Sequence, residues 1–202
     1  ANEQGSYALS LGTVKDNGMI IGSLLKRINM NFNGGLNVGK NLKITTNIGA
    51  YNVEQALPYG GFNSVDPEGG AAGVILPGPN DVTLGNPKYW SNLTVNNTNQ
   101  QRFLGGINLE YTLLPYLKIL ASGSGYFQYT NNNFFTKAFQ QGNGGAINTN
   151  RAASFNNTKT IQYTTNAFLQ FNKNFSGHNI TALAGGEFYD FKNYVNSGFS
   201  QG

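Results

Sequence analysis

The chain has 202 residues, of which only 11% are charged and 39% hydrophobic, with 27 Gly, 14 Phe, 11 Tyr and a formal net charge of +4. So many rings and so little charge argue against a disordered chain. Cations scattered without a cluster beyond Lys26-Arg27 argue against nucleic-acid binding, and the absence of Cys leaves no disulfide framework or thiolate metal site. No run approaches the ~18 apolar residues of a membrane helix. A place in a membrane would therefore require a closed barrel, the other structure that satisfies its backbone in lipid. A wall with lipid on one side and a polar lumen on the other accounts for a chain short of both charge and apolar mass.

The organising signal is alternation with period two. Ser6 to Val14 reads as an opening strand that places Tyr7, Leu9 and Leu11 together. After a connection at about 16–26, Ile28, Met30, Phe32, Gly34, Leu36 and Val38 share one face, with Asn29, Asn31, Asn33, Gly35 and Asn37 on the other. A one-residue slip would exchange these faces, so the register is well specified. Gly39-Lys40-Asn41 makes a short turn, and Leu42, Ile44, Thr46, Ile48 and Ala50 carry the apolar face back. A long connection spans about 54–99. Phe103, Gly105, Ile107, Leu109, Tyr111 and Leu113 then lead through Leu114-Pro115-Tyr116 into Leu117, Ile119, Ala121, Gly123, Gly125, Phe127 and Tyr129, which face away from Lys118, Ser122, Ser124 and Gln128. A third long connection covers about 131–157. Ile161, Tyr163, Thr165, Ala167, Leu169 and Phe171 run into a turn at Asn174-Phe175-Ser176-Gly177. On the last strand, about 179–190, Ile180, Ala182, Ala184, Gly186 and Phe188 are set outward, because the other register would aim Glu187 at lipid.

The expectation is an all-β fold: an antiparallel transmembrane β-barrel section of about seven long strands, with short periplasmic turns and long extracellular loops. Most strands are long enough for the ~9–11 residues that cross a bilayer, and Tyr51, Tyr111, Tyr129, Phe171 and Phe188 stand where interfacial girdles would lie. The competing reading is a soluble antiparallel sheet with one buried face. It fits less well with the strand length, the loop asymmetry and the lack of charge on the polar faces. Ala1-Asn2-Glu3-Gln4-Gly5 has no signal-peptide character, so the sequence is expected to begin inside a longer protein.

Several stretches resemble SusC/RagA-type TonB-linked outer-membrane proteins of Bacteroidota. They are Gly5-Ser6-Tyr7-Ala8-Leu9-Ser10-Leu11-Gly12, Asp16-Asn17-Gly18-Met19-Ile20-Ile21-Gly22-Ser23 with Lys26-Arg27, the hairpin Tyr111-Thr112-Leu113-Leu114-Pro115-Tyr116-Leu117-Lys118, and Leu183-Ala184-Gly185-Gly186-Glu187. The resemblance covers the whole chain in arrangement, through short and degenerate motifs. It implies a barrel of about 22 strands filled by an N-terminal plug. It also implies a segment that engages the TonB complex, a SusD-like surface lipoprotein over the mouth, and a glycan or peptide substrate. No plug is found here, and about seven strands cannot close so wide a barrel. Residues 1–202 are therefore expected to be part of the barrel domain alone.

Bond chemistry is not expected, nor is a cofactor or a metal. His178, the single His, falls in a turn. Asp66 and Glu68 lie in a Pro- and Gly-rich stretch without EF-hand spacing. Gly142-Asn143-Gly144-Gly145 lacks the Lys-Ser/Thr of a phosphate loop. Asn92-Leu93-Thr94 is the kind of triplet that chance supplies in an Asn-rich chain. The candidate contacts for substrate or partner are aromatics in the long connections: Tyr59, Phe62, Tyr89 and Trp90 in 54–99, Phe134 and Phe135 (with Phe139) in 131–157. Rings of this kind stack on sugars or anchor partners, although packing of loops against each other is the blander role. The functional expectation is uptake of oligomeric nutrients across an outer membrane. A passive porin or siderophore receptor is the alternative among membrane proteins, and a secreted β-rich binding or adhesion module the alternative outside them.

Overall fold

The computed structural model describes residues 4–18, 22–57, 93–140 and 146–202. Its strands are β1 (Gly5–Asn17), β2 (Leu24–Val38), β3 (Leu42–Ala56), β4 (Thr94–Leu114), β5 (Leu117–Thr136), β6 (Phe139–Gln140), β7 (Ile147–Asn148), β8 (Ala152–Phe175) and β9 (His178–Gln201). Seven of them form one antiparallel sheet in the order β1-β2-β3-β4-β5-β8-β9, while β6 and β7 make a small separate ribbon. Each strand of the sheet pairs with its neighbour in the chain, so the topology is an up-and-down meander, open at β1 and β9.

The turns are made where the sequence supplies the chemistry. Gly39 adopts φ 64°, and the β8–β9 turn places Ser176 and Gly177 at φ 49° and 93°. Two successive positive φ values twist a two-residue hairpin to match its strands. The β4–β5 turn is preceded by a register shift between Thr112 and Leu114, an irregularity of one residue beside the turn.

Pairing carries the alternation from strand to strand. One row runs Tyr7–Gly34–Thr46–Ile107–Gly123–Thr165–Phe188, and the row two residues on runs Leu9–Phe32–Ile48–Gly105–Gly125–Tyr163–Asp190. The opposite face carries Ala8–Asn33–Asn47–Gly106–Ser124–Thr164–Tyr189. The outward set proposed for the last strand lies on the apolar face, since Ala182, Ala184 and Gly186 pair with Phe171, Leu169 and Ala167.

The strands are longer than the alternation indicates. Pairing continues past Ala50 to Ala56, past Tyr129 to Thr136 and back from Ile161 to Ala152. The connection expected at 16–26 is cut to 18–23, because Lys15 pairs with Lys26 and Asn17 with Leu24. Backbone hydrogen bonds do not depend on side-chain polarity, so the ladder persists where both faces become polar.

The described residues form no conventional core. Among the described residues only Gly49, Leu93 and Thr94 are buried, and Tyr7, Leu11 and Ile28 stand 79%, 73% and 60% exposed.

The tight turns are staggered. The β2–β3 turn closes at Val38↔Leu42, a row that continues through Tyr111 and Ile119 to Leu169. The β4–β5 turn closes two residues further along β5, at Leu117, whose partner on β8 is Phe171. The β8–β9 turn closes four residues beyond Phe171, at Phe175. The total drift is two plus four residues across four strand spacings, about 1.5 residues per strand. At ~3.3 Å per residue and ~4.8 Å between strands, a line through the turns makes an angle of about 45° with the hydrogen-bonding direction.

Candidate functional site

The polar face carries several cross-strand hydrogen bonds whose partners meet only because of the register, among apolar side chains such as Leu104, Leu120, Phe168 and Phe191. Near the tight turns Lys118 Nζ lies 2.6 Å from Glu110 Oε1, Ser122 Oγ donates to Asn166 at 2.8 Å and Asn108 Nδ2 donates to Thr45 at 3.4 Å. Further along, Tyr51 donates its hydroxyl to Asn31 Oδ1 at 2.7 Å.

A denser cluster spans β4 and β5. Arg102 Nε donates to Gln128 Oε1 at 3.2 Å, and the same oxygen accepts from the Tyr126 hydroxyl. Gln128 Nε2 donates to Thr130 Oγ1 at 3.2 Å, and Gln100 Nε2 reaches that hydroxyl at 3.4 Å. The Arg102 guanidinium sits 5.9 Å from the Tyr126 ring centroid. The cluster fixes a guanidinium beside an aromatic edge, and among the described residues no carboxylate comes within ion-pair distance of Arg102. Such an arrangement can hold carboxylate or amide oxygen and stack on flat groups. It contains no nucleophile–base pair. Among the described residues no group of three His, Cys, Asp or Glu could hold a metal, and no helix is long and apolar enough to cross a membrane.

Aromatic side chains stand toward both ends of the apolar face on β5, β8 and β9, and the Asp190–Lys192 ion pair lies between them on β9. At the turn side Tyr116 and Phe171 meet edge to face at 5.7 Å, Phe171 stacks on Phe175 at 6.5 Å, and Lys173 extends over Tyr116 and Phe175 at 4.7 and 4.9 Å. At the other side Tyr129 and Tyr194 flank Lys159 in one row. Beyond it comes a wholly polar row, Lys15–Lys26–Glu54–Asn99–Asn131–Asn157–Asn196.

Of the aromatics singled out from the sequence, Tyr59, Phe62, Tyr89 and Trp90 lie outside the described residues, as do Asp66, Glu68 and Gly142 to Gly145. Phe134 and Phe135 are not in a loop but in β5. Being adjacent, they occupy opposite faces. Phe134 pairs with Asn96 and Ser154 on the polar face, Phe135 with Val95 and Ala153 on the other. Phe134 lines a shallow cavity of about 380 Å³ with Phe155 and Phe199. Sequence reasoning missed the Arg102 cluster. Its only trace was a lone Arg in a strand otherwise short of charge.

These features define a class: a two-faced antiparallel meander of the kind that forms the wall of a large β-barrel. The chain is similar to the solved RagAB peptide importer in its 'open-open' state (TM-score 0.74, 15% identity over 99% of this chain) and its 'closed-closed' state (TM-score 0.76, 14% identity over 99%). It is likewise similar to a further structure of the RagAB peptide transporter (TM-score 0.73, 13% identity over 99%). At these identities the likeness is one of fold, and it falls on the kind of transporter that the sequence motifs resemble. This chain spans 24% of the length of those chains. No family model and no curated protein matches it in sequence.

Proposed function

We propose that this chain is part of the barrel wall of an outer-membrane, TonB-dependent transporter that imports oligomeric nutrients, peptides or glycans. The observation that carries the reading is the bounded apolar belt. Twelve residues of β5 separate Leu117 from Tyr129 on the apolar face, about 40 Å of strand at ~3.3 Å per residue. With the tight turns in one plane, the stagger tilts the strands by about 45° from the membrane normal, and the belt becomes about 28 Å high. Transmembrane barrels have strands tilted by ~35–45° and an apolar band ~25 Å tall between aromatic girdles. Lipid is what would cover a face that no core covers. The tight turns lie at the periplasmic rim and the long connections outside.

In this reading the polar face lines the lumen, and Arg102, Tyr126 and Gln128 present hydrogen-bonding groups to passing cargo. Tyr59, Phe62, Tyr89, Trp90, Phe134 and Phe135 contribute to the outer binding surface beneath a SusD-like lipoprotein. The fold neighbours are peptide importers by name, which favours peptide among the two cargo classes. The TonB complex would act through parts of the protein other than these strands.

The test is uptake by cells carrying the intact protein. Deleting residues 58–92 is expected to leave outer-membrane insertion unchanged and to reduce growth on oligopeptide or oligosaccharide as sole nutrient by about tenfold, the size of one lost anchor of ~1.4 kcal/mol. Uptake that persists without TonB would identify a passive porin. Purification of the intact protein as a monodisperse species without detergent would identify a secreted binding module instead.

A further inference from the structure

The apolar face is not evenly filled. Around the pair Gly105↔Gly125 and the neighbouring Gly123 there is a notch of about 560 Å³, walled by Ile48, Phe103, Ile107, Phe127 and Tyr163. The depression is shallow and open along the face, a shape for a chain lying flat on it rather than for an enclosed ligand. Glycine in the interior of a strand weakens it, and it often marks a bulge, a tight bend or a place where a ligand or another backbone comes close. The register is unbroken here, so there is no bulge. Nothing within the sheet demands these glycines. None has positive φ among the described residues. An added Cβ would meet nothing closer than 3.7 Å at Gly105, 3.8 Å at Gly123 and 3.6 Å at Gly125. Gly106 and Gly185 on the polar face differ, since a Cβ there would press on Asn47 at 2.9 Å and on the Ala167 carbonyl at 2.2 Å. The notch is thus room left free on the side away from the polar face.

A cation stands at its outer end. Lys159 reaches back over the Phe127 ring, its Nζ 5.8 Å from the centroid. The nearest carboxylate on that face of the neighbouring strand, Asp190 opposite Tyr163, is held by Lys192 at 2.9 Å. Among the described residues Lys159 itself has no ion-pair partner.

We infer that the notch is a binding site for one anionic membrane lipid, an acyl chain lying over Gly105, Gly123 and Gly125 and the phosphate on Lys159. The inference rests on the barrel reading, which puts this face in the membrane and Lys159 at headgroup level. A Lys at the boundary attracts anionic lipid, and the ring beneath it fixes where the charge sits.

The test is native mass spectrometry of the intact transporter in detergent, titrated with phosphatidylglycerol and, separately, with phosphatidylcholine. The wild type is expected to retain one phosphatidylglycerol in preference to phosphatidylcholine. Gly125→Leu fills the notch and should lower retention of both lipids by about tenfold. Lys159→Gln should lower that of phosphatidylglycerol alone by about fivefold, as one cation near an anionic headgroup implies. Gly186→Leu adds the same side chain to the same face outside the notch, and it should change neither. Equal retention of the two lipids by the wild type, or equal effects of Gly125→Leu and Gly186→Leu, would overturn the site. Either result in a correctly inserted barrel would leave the transporter reading intact. Failure of the wild type to insert would instead remove the barrel reading and this inference together.

Discussion

The turn-side and loop-side halves of the sheet use the same strands and the same ladder but present different surfaces. On the turn side, rows such as Tyr7–Gly34–Thr46–Ile107–Gly123–Thr165–Phe188 alternate with rows of Asn, Ser, Thr and Gly. Just beyond the belt the first surface turns polar too, before Val95, Phe135 and Ala153 return to it at the strand ends. Asn99, Asn131, Asn157 and Asn196 succeed one another across four strands, and Asn131 donates to Asn157 while Asn133 donates to Asn131. The ladder holds both halves together, and side chains alone decide what each half can face. A sheet with one apolar surface suits lipid against a lumen, whereas a sheet polar on both surfaces suits water on both sides. The strands therefore rise out of the proposed membrane as a continuous palisade, with no change of fold at the boundary.

The most direct way to break this comparison is a charge placed in each half. Ile107→Arg puts a cation mid-belt and is expected to destabilise the inserted barrel by about 2–4 kcal/mol. Asn99→Arg lies on the same face of the same strand in the polar half, where the cost should fall to about 0–1 kcal/mol. Asn108→Arg, one residue from Ile107 on the polar face, should also be mild. Heat-modifiable migration and urea unfolding of the intact protein in lipid would rank the three. Comparable losses for Ile107→Arg and Asn99→Arg would mean that the two halves do not differ in solvent.

Accessibility sharpens the same contrast. The chain has no native Cys, so single Cys residues can be introduced and probed with a water-soluble thiol reagent. From Ile107 to Tyr111 and from Lys118 to Ser122, reactivity should alternate with period two, the polar-face positions reacting more readily. From Asn96 to Gln100 both faces should react and the alternation should be lost. Alternation through both segments would extend the membrane boundary outward, and its absence from both would remove the lipid-facing wall.

The same division explains what could be read from the sequence. Period two is a signal only where the two faces differ, so the seven strands, the tight turns and the register of the belt were legible from Tyr7 to Phe188. The strand ends were not, because from Thr130 to Asn133 polar residues occupy both faces and leave no period to detect. Phe134 and Phe135 consequently looked like loop aromatics, although β5 carries them to opposite faces. The Arg102 cluster was hidden for another reason. Arg102 and Gln128 lie 26 positions apart, and they meet only once the β4–β5 register is set.

The smallest expected effects concern ion pairs, one in each half. Lys118 and Glu110 meet at 2.6 Å on the polar face near the turns, with side chains 42% and 38% exposed. Lys26 and Glu54 stand 3.7 Å apart in the polar half, 48% and 50% exposed. Both pairs are open to water, so Coulomb attraction is screened and holding two long side chains in place costs entropy. Exposed pairs of this kind contribute about 0.2–1 kcal/mol, and the shorter, hydrogen-bonded pair belongs at the upper end of that range. Glu110→Gln should therefore cost more than Glu54→Gln, and the difference should shrink as salt is raised from about 0.01 M to 1 M, where the Debye length falls from ~30 Å to ~3 Å. A double-mutant cycle with Lys118→Met, read by urea unfolding in lipid, isolates the pair from the loss of each side chain alone. A coupling energy above about 2 kcal/mol, insensitive to salt, would mean that the pair is shielded from water. The polar face would then be covered rather than open to an aqueous lumen. Coupling below about 1 kcal/mol that fades with salt is what a solvated lumen wall requires.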